Sequence, residues 1–107
     1  MLIVVDNSAG GDAQLAGDVA RGLRERGLDV EVREPKPASM FDTSVHLVTA
    51  GIVVRVERAP DPALRATIED VVRAALMHRP SVRRRTRTVP VHLGESPRVL
   101  DWIDVFD

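Results

Sequence analysis

Two stretches of this chain carry one pattern. Asp12-x-x-Leu15-x-x-x-Val19-x-x-x-Leu23 and Asp61-x-x-Leu64-x-x-x-Ile68-x-x-x-Val72 align without a gap. Apolar residues four apart make one stripe on a helix, so each stretch predicts an amphipathic helix with one face to bury. The signals at the ends agree. Asp12 caps the first helix and Gly27 closes it in the left-handed conformation, while Asp61 and Pro62 open the second and Pro80 stops it. Each helix follows a valine-rich run and precedes an alternating one, the order of a βαβ unit made twice.

The flanking segments supply the strands. Leu2 to Val5 is a short apolar run read as a buried strand, and Leu28, Val30 and Val32 alternate with Asp29, Glu31 and Arg33. A third strand is expected over 52–58, where Ile52, Val54 and Val56 alternate with Val53, Arg55 and Glu57. Val45 to Ala50 reads either as a preceding strand or as a short buried helix. Thr86 to Leu93 is a strand with Val89, Val91 and Leu93 inward, and His92 between the last two points outward. Pro90 lacks a donor, which places that strand at a sheet edge or makes it start late. VLDWIDVF at the end of the sequence is a short strand or a tail.

A chain of 107 residues has room for a single domain. Two βαβ-like halves in that length predict an α+β two-layer sandwich, ferredoxin-like βαββαβ, with both helices on one face of a sheet of four or five strands. The alternative is a flavodoxin-like three-layer α/β sheet, for which two helices are few.

Composition excludes several function classes. With 44% hydrophobic and 29% charged residues the chain is of globular type, and no apolar run reaches membrane-spanning length. MLIVVDNS lacks the basic start and long apolar centre of a signal peptide, so a cytoplasmic protein without membrane partners is expected. The absence of cysteine removes disulfides, thiolate metal sites and cysteine nucleophiles. His46, His78 and His92 lie far apart with no metal-ligand spacing, so no metal is expected. Ser8, Ser44 and Ser96 have no nucleophile-elbow context, and no catalytic residues are assigned.

The segment DNSAGGD at 6–12 has the layout of a phosphate loop without its chemistry. Asp6 and Asp12 flank it, no basic residue assists, and the spacings of the dinucleotide and P-loop motifs are missing. It reads as a turn made by Gly10 and Gly11, and no cofactor is expected. The minority reading is a small flavin- or nucleotide-binding domain using Ser8, Gly10 and Gly11.

Charge is local rather than global. The net charge is −1, yet five arginines and no acid lie between His78 and Thr88, and four acids and one arginine between Glu95 and Asp107. Guanidinium groups bind carboxylate or phosphate oxygens in pairs, which makes Arg83, Arg84, Arg85 and Arg87 candidates for meeting an acidic partner. Nucleic acid is disfavoured, because Phe41, Trp102 and Phe106 are the only aromatic residues and none adjoins the cluster to stack bases. Trp102, between Asp101 and Asp104, is either a core residue or an interface anchor.

The order of these features resembles the small effector-associated domains of actinobacterial conflict systems. The resemblance is carried by Asp12, Leu15, Ala16, Leu23 and Arg24 in the first helix, by Pro35 and Pro37, by Arg83, Arg84, Arg85 and Arg87, and by Val89, Val91, Leu93 and Gly94. It implies a non-enzymatic adaptor that brings effectors such as peptidases or nucleases to their sensors, with no catalytic residues. A homodimer is also expected. In it the edge strand ending at Leu93 pairs between subunits, the arginine cluster faces Asp101 and Asp104, and Trp102 is buried.

Overall fold

The computed structural model describes residues 1–8, 13–34, 52–78 and 88–104. Its elements run β1 (Leu2–Asp6), α1 (Ala13–Glu25), β2 (Asp29–Arg33), β3 (Val53–Val56), α2 (Pro62–Met77), β4 (Thr88–Leu93) and β5 (Val99–Asp104). The expected cap at Asp12, the region Val45 to Ala50 and Pro80 lie outside the described residues. None of the described helices is long and apolar enough to cross a membrane.

The helices form where the repeat predicts. Leu15, Ala16, Val19, Ala20 and Leu23 are the buried stripe of α1, and Ile68, Val71, Val72, Ala75 and Leu76 that of α2. Gly27, at φ 80°, ends α1: its N–H bonds the carbonyl of Arg24, and the next N–H, of Leu28, reaches back to Leu23. Those two bonds satisfy carbonyls that a helix end leaves free. At the start of α2 the Asp61 carboxylate accepts from the Leu64 N–H at 2.7 Å, with Pro62 in the first turn.

Five strands make one mixed sheet in the order β2-β1-β3-β4-β5. β1 runs parallel to β2 and antiparallel to β3, β3 runs parallel to β4, and β4 antiparallel to β5. This corrects the ferredoxin-like expectation. In that fold each βαβ unit is split by an inserted strand, whereas here the two parallel strands of each unit are direct neighbours. Ile3, Val5, Val54, Val56, Val89, Val91 and Ile103 form one core with the helical stripes.

The sequence repeat is built into the fold as an approximate two-fold axis. Leu15 and Leu64 are 49 residues apart, and so are Val5 and Val54, which face each other across the β1–β3 ladder. In the helical layer Gly22 and Val71 have the same separation, and they too meet: a Cβ on Gly22 would lie 2.8 Å from the Val71 Cγ1. Two contacts between repeat-equivalent residues, one in the sheet and one between the helices, fix the axis. It exchanges β1 with β3, α1 with α2 and β2 with β4. Two features break the symmetry. β5 has no described counterpart beside β2, and three residues separate α1 from β2 while ten separate α2 from β4. The second linker contains Arg83 to Arg87.

Two expectations for β4 need correction. β4 is not an edge, because β5 covers it; Pro90 is accommodated because pairing with β3 begins only at Val91. Leu93 keeps the inward register opposite Val56 but is 43% exposed at the end of the ladder, so it is not a core residue. The register with β5 slips between Val91 and His92, where Asp101 and Val99 are the successive partners and Leu100 is the extra residue of a bulge in β5. His92 lies on the face away from the helices, as its position predicts, yet it is buried.

Candidate functional site

The sheet face away from the helices carries a network of charges centred on Asp6. That residue ends an apolar strand and is only 3% exposed. Its carboxylate accepts from the Arg55 Nε at 2.7 Å and from the Ser8 N–H at 2.8 Å, and Arg33 Nη1 stands at 3.5 Å. Burial alone raises the pKa of this carboxyl. The hydrogen bonds from Ser8 and Arg55, with the Arg55 charge, outweigh burial and hold it below the ordinary value.

From Asp6 the network reaches the β4–β5 turn. Arg55 Nη1 donates to the carbonyls of Gly94 at 3.0 Å and Ser96 at 3.2 Å, and Arg33 grips Glu95 through two bonds of 2.8 and 2.6 Å. The Arg33 guanidinium lowers the Glu95 pKa, chiefly through those bonds. His92 Nδ1 lies 2.9 Å from the Ser96 carbonyl. A carbonyl only accepts, so Nδ1 carries the proton. Gly94 takes φ 54° and donates to the Val56 carbonyl at 2.7 Å. Each arginine here has a carboxylate, so the arrangement is a fastening: it ties the β4–β5 hairpin to β1, β2 and β3. Among the described residues, no group of three or more histidine, aspartate or glutamate side chains could hold a metal ion.

The fastened hairpin presents Trp102, which is 53% exposed, with Leu93 and Leu100 also exposed. Toward the turn of the hairpin a cleft of about 390 Å3 is lined by Leu93, Ser96, Arg98, Val99 and Leu100. The assignment of Trp102 to the core is thereby excluded. Its backbone is held from α2: Arg65 Nη2 donates to the Trp102 carbonyl at 3.3 Å, and Arg73 Nε to the Asp104 carbonyl at 3.1 Å. The Trp102 N–H bonds the Asp101 carboxylate at 2.8 Å. Asp101 in turn pairs with Arg65 Nε at 2.5 Å, a bond that pulls its pKa down, and Glu69 bridges Arg65 and Arg73 at 3.0 Å each. The outer edge of β5 is therefore closed by side chains and by the bulge at Leu100.

The remaining predicted residues fall as follows. The Ser8 N–H serves Asp6, while Gly10, Gly11, Arg83, Arg84, Arg85 and Arg87 lie outside the described residues. The expected dimer loses two of its premises: β4 already has β5 as neighbour, and Asp101 is engaged by Arg65 of its own chain. The Asp6–Arg55 pair escaped the sequence reading. Sequence patterning alone gives Asp6 as an acid flanking a loop and Arg55 as one polar position of an alternating strand. Their separation of 49 residues, that of the repeat, was the available signal.

No family model, no curated protein and no solved structure matches this chain.

Proposed function

We propose that this chain is a non-enzymatic interaction module, an adaptor that docks a protein partner on the Trp102 face of the β4–β5 hairpin. The observation that carries the reading is the 53% exposure of Trp102 on a strand whose backbone is fastened by Arg65, Asp101 and Arg73. Tryptophan is enriched at interface hot spots, and an anchor held in place before binding loses less freedom when a partner arrives. Arg83, Arg84, Arg85 and Arg87 supply positive charge for an acidic rim on that partner. The resemblance to effector-associated domains adds an expectation of its identity, an effector such as a peptidase or nuclease in the same cytoplasm.

The test is affinity capture from the host with the intact chain and with Trp102→Ala, both first shown to be folded by circular dichroism. Partners recovered by the intact chain and lost by the variant are expected. Equal recovery by both would refute docking at Trp102. Micromolar FMN or ATP binding in calorimetry, abolished by Gly11→Val, would replace the adaptor with a ligand-binding domain.

A further inference from the structure

The two edges of the sheet differ. β5 is closed by its bulge and by bonds from α2, whereas β2 is open along most of its length among the described residues. In the parallel β1–β2 ladder alternate residues of β2 turn their backbone groups toward β1. Arg33 does so, since its carbonyl accepts from Asn7 at 2.7 Å, and Val30 and Val32 therefore turn theirs outward. The Val30 carbonyl confirms this by accepting from Arg24, at 3.2 Å from Nε and 2.9 Å from Nη2. Among the described residues nothing bonds the Val30 N–H or the Val32 N–H and carbonyl.

We propose that this edge of β2 accepts an antiparallel strand from an extended, basic segment of a partner protein. The internal two-fold supplies the geometry. Val32 pairs with Val5 and Val91 with Val54, so β2 corresponds to β4 and the space beside β2 to the one that β5 fills antiparallel. The helical arginines repeat the relation. Arg24 and Arg73 are 49 residues apart; Arg73 reaches across to the Asp104 carbonyl on β5, and Arg24, with no described strand beside β2, folds back onto Val30. An incoming strand exchanges two bonds with Val32 and offers Arg24 a carbonyl like that of Asp104.

Charge selects the occupant. Asp29 and Glu31 share the outer face of β2, both exposed, and neither forms an ion pair among the described residues, while Arg33 on the same face is taken by Glu95. A strand with lysine or arginine at alternate positions places them opposite these acids and turns its other side chains toward Val30 and Val32. This surface is separate from Trp102, and the two readings stand or fall separately.

The test is an NMR titration of the isotope-labelled full chain with a blocked peptide of alternating arginine and valine, and with its glutamate–valine counterpart. The basic peptide is expected to shift the amides of Val30, Glu31 and Val32 and to bind at least tenfold tighter than the acidic one. Glu31→Arg, an exposed change, is expected to weaken binding at least tenfold. Val32→Pro removes an N–H that points away from β1, so it abolishes binding while the rest of the spectrum stays folded. Trp102→Ala leaves the titration unchanged. Equal binding of the two peptides, shifts confined to β5, or no effect of Glu31→Arg would overturn the proposal. Movement of the β2 amides on concentrating the protein alone would also overturn it, naming a second copy as the occupant.

Discussion

Removing the Arg55 guanidinium leaves the Asp6 carboxylate 3% exposed with its bonds from Ser8 and with Arg33 at 3.5 Å. Breaking a buried ion pair from one side costs about 3–5 kcal/mol. The Arg55 side chain is 17% exposed and Arg33 offers partial compensation, so the lower end applies: Arg55→Met is expected to cost ~3 kcal/mol, or roughly 12–20 °C in Tm for a domain of this size. Adding Asp6→Asn removes the stranded charge, and a coupling of ~2 kcal/mol is expected in the double-mutant cycle. The pH dependence gives a second check. The Asp6 pKa is lowered in the folded protein, so its contribution is complete above the unfolded carboxylate value, about 3.9, and is lost as pH falls through the folded value. In Arg55→Met burial still raises the pKa and the two Ser8 bonds still lower it, but the Arg55 bond and charge are gone, so the carboxyl takes up its proton at higher pH than in the parent. The gap between the two narrows as the pH falls through the variant's folded value toward the parent's. Urea melts followed by far-UV circular dichroism at three pH values measure both effects. A cycle additive within ~0.5 kcal/mol, together with a gap that ignores pH, would refute the account.

Three further outcomes follow from the structure. Gly17→Ala and Gly22→Ala make the same change in the same helix with opposite expected signs: nothing lies within 4 Å of a Cβ at Gly17, but one at Gly22 meets the stiff side chain of Val71 at 2.8 Å. Thermal melts should show Gly17→Ala stabilised by up to ~1 kcal/mol, and Gly22→Ala destabilised by ~1–2 kcal/mol as overpacking exceeds the gain in helix propensity. Asp61→Ala removes the cap bond to the Leu64 N–H and is expected to cost ~1 kcal/mol in the same assay. Trp102, the only tryptophan and 53% exposed, should emit as a solvated indole and be quenched readily by iodide or acrylamide in the isolated chain; a blue-shifted, protected emission would contradict the placement.

What could be read from the chain alone was local. The apolar stripes of α1 and α2, Gly27 at a helix end and Asp61 with Pro62 at a helix start each act within a few residues, and periodicity exposes them. Strand adjacency is a different matter. A βαβ unit has the same order in sequence whether its strands touch or are split by another, so the neighbours of β1 depended on long-range register. Leu93 escaped for a related reason: alternation gives its face, while its exposure follows from its place as the last residue of β4. The Asp6–Arg55 pair forms only once β1 and β3 are neighbours, and until then Asp6 looks like an acid in a loop. The arginine cluster was visible as charge, but charge in sequence does not give direction in space.

The axis explains why the two halves had to diverge where they meet. Away from it, equivalent positions do the same work in separate places, and Val19 with Ile68 or Leu23 with Val72 remain interchangeable in kind. Beside it, equivalent positions confront one another, and identical residues would be confronted with themselves. Positions 6 and 55 are 49 apart; two aspartates or two arginines there would bring like charges together on a buried face, whereas Asp6 and Arg55 make an ion pair of 2.7 Å. Positions 22 and 71 obey the same rule in volume. A Cβ at Gly22 already falls 2.8 Å from Val71, so two valines cannot face each other and one side must be glycine. Only Val5 and Val54, set side by side across a ladder, tolerate being the same. Complementary charge and complementary size at the axis make each half a better partner for the other than for a copy of itself. Neither pair involves the outer strand β2, which among the described elements keeps an open hydrogen-bonding edge.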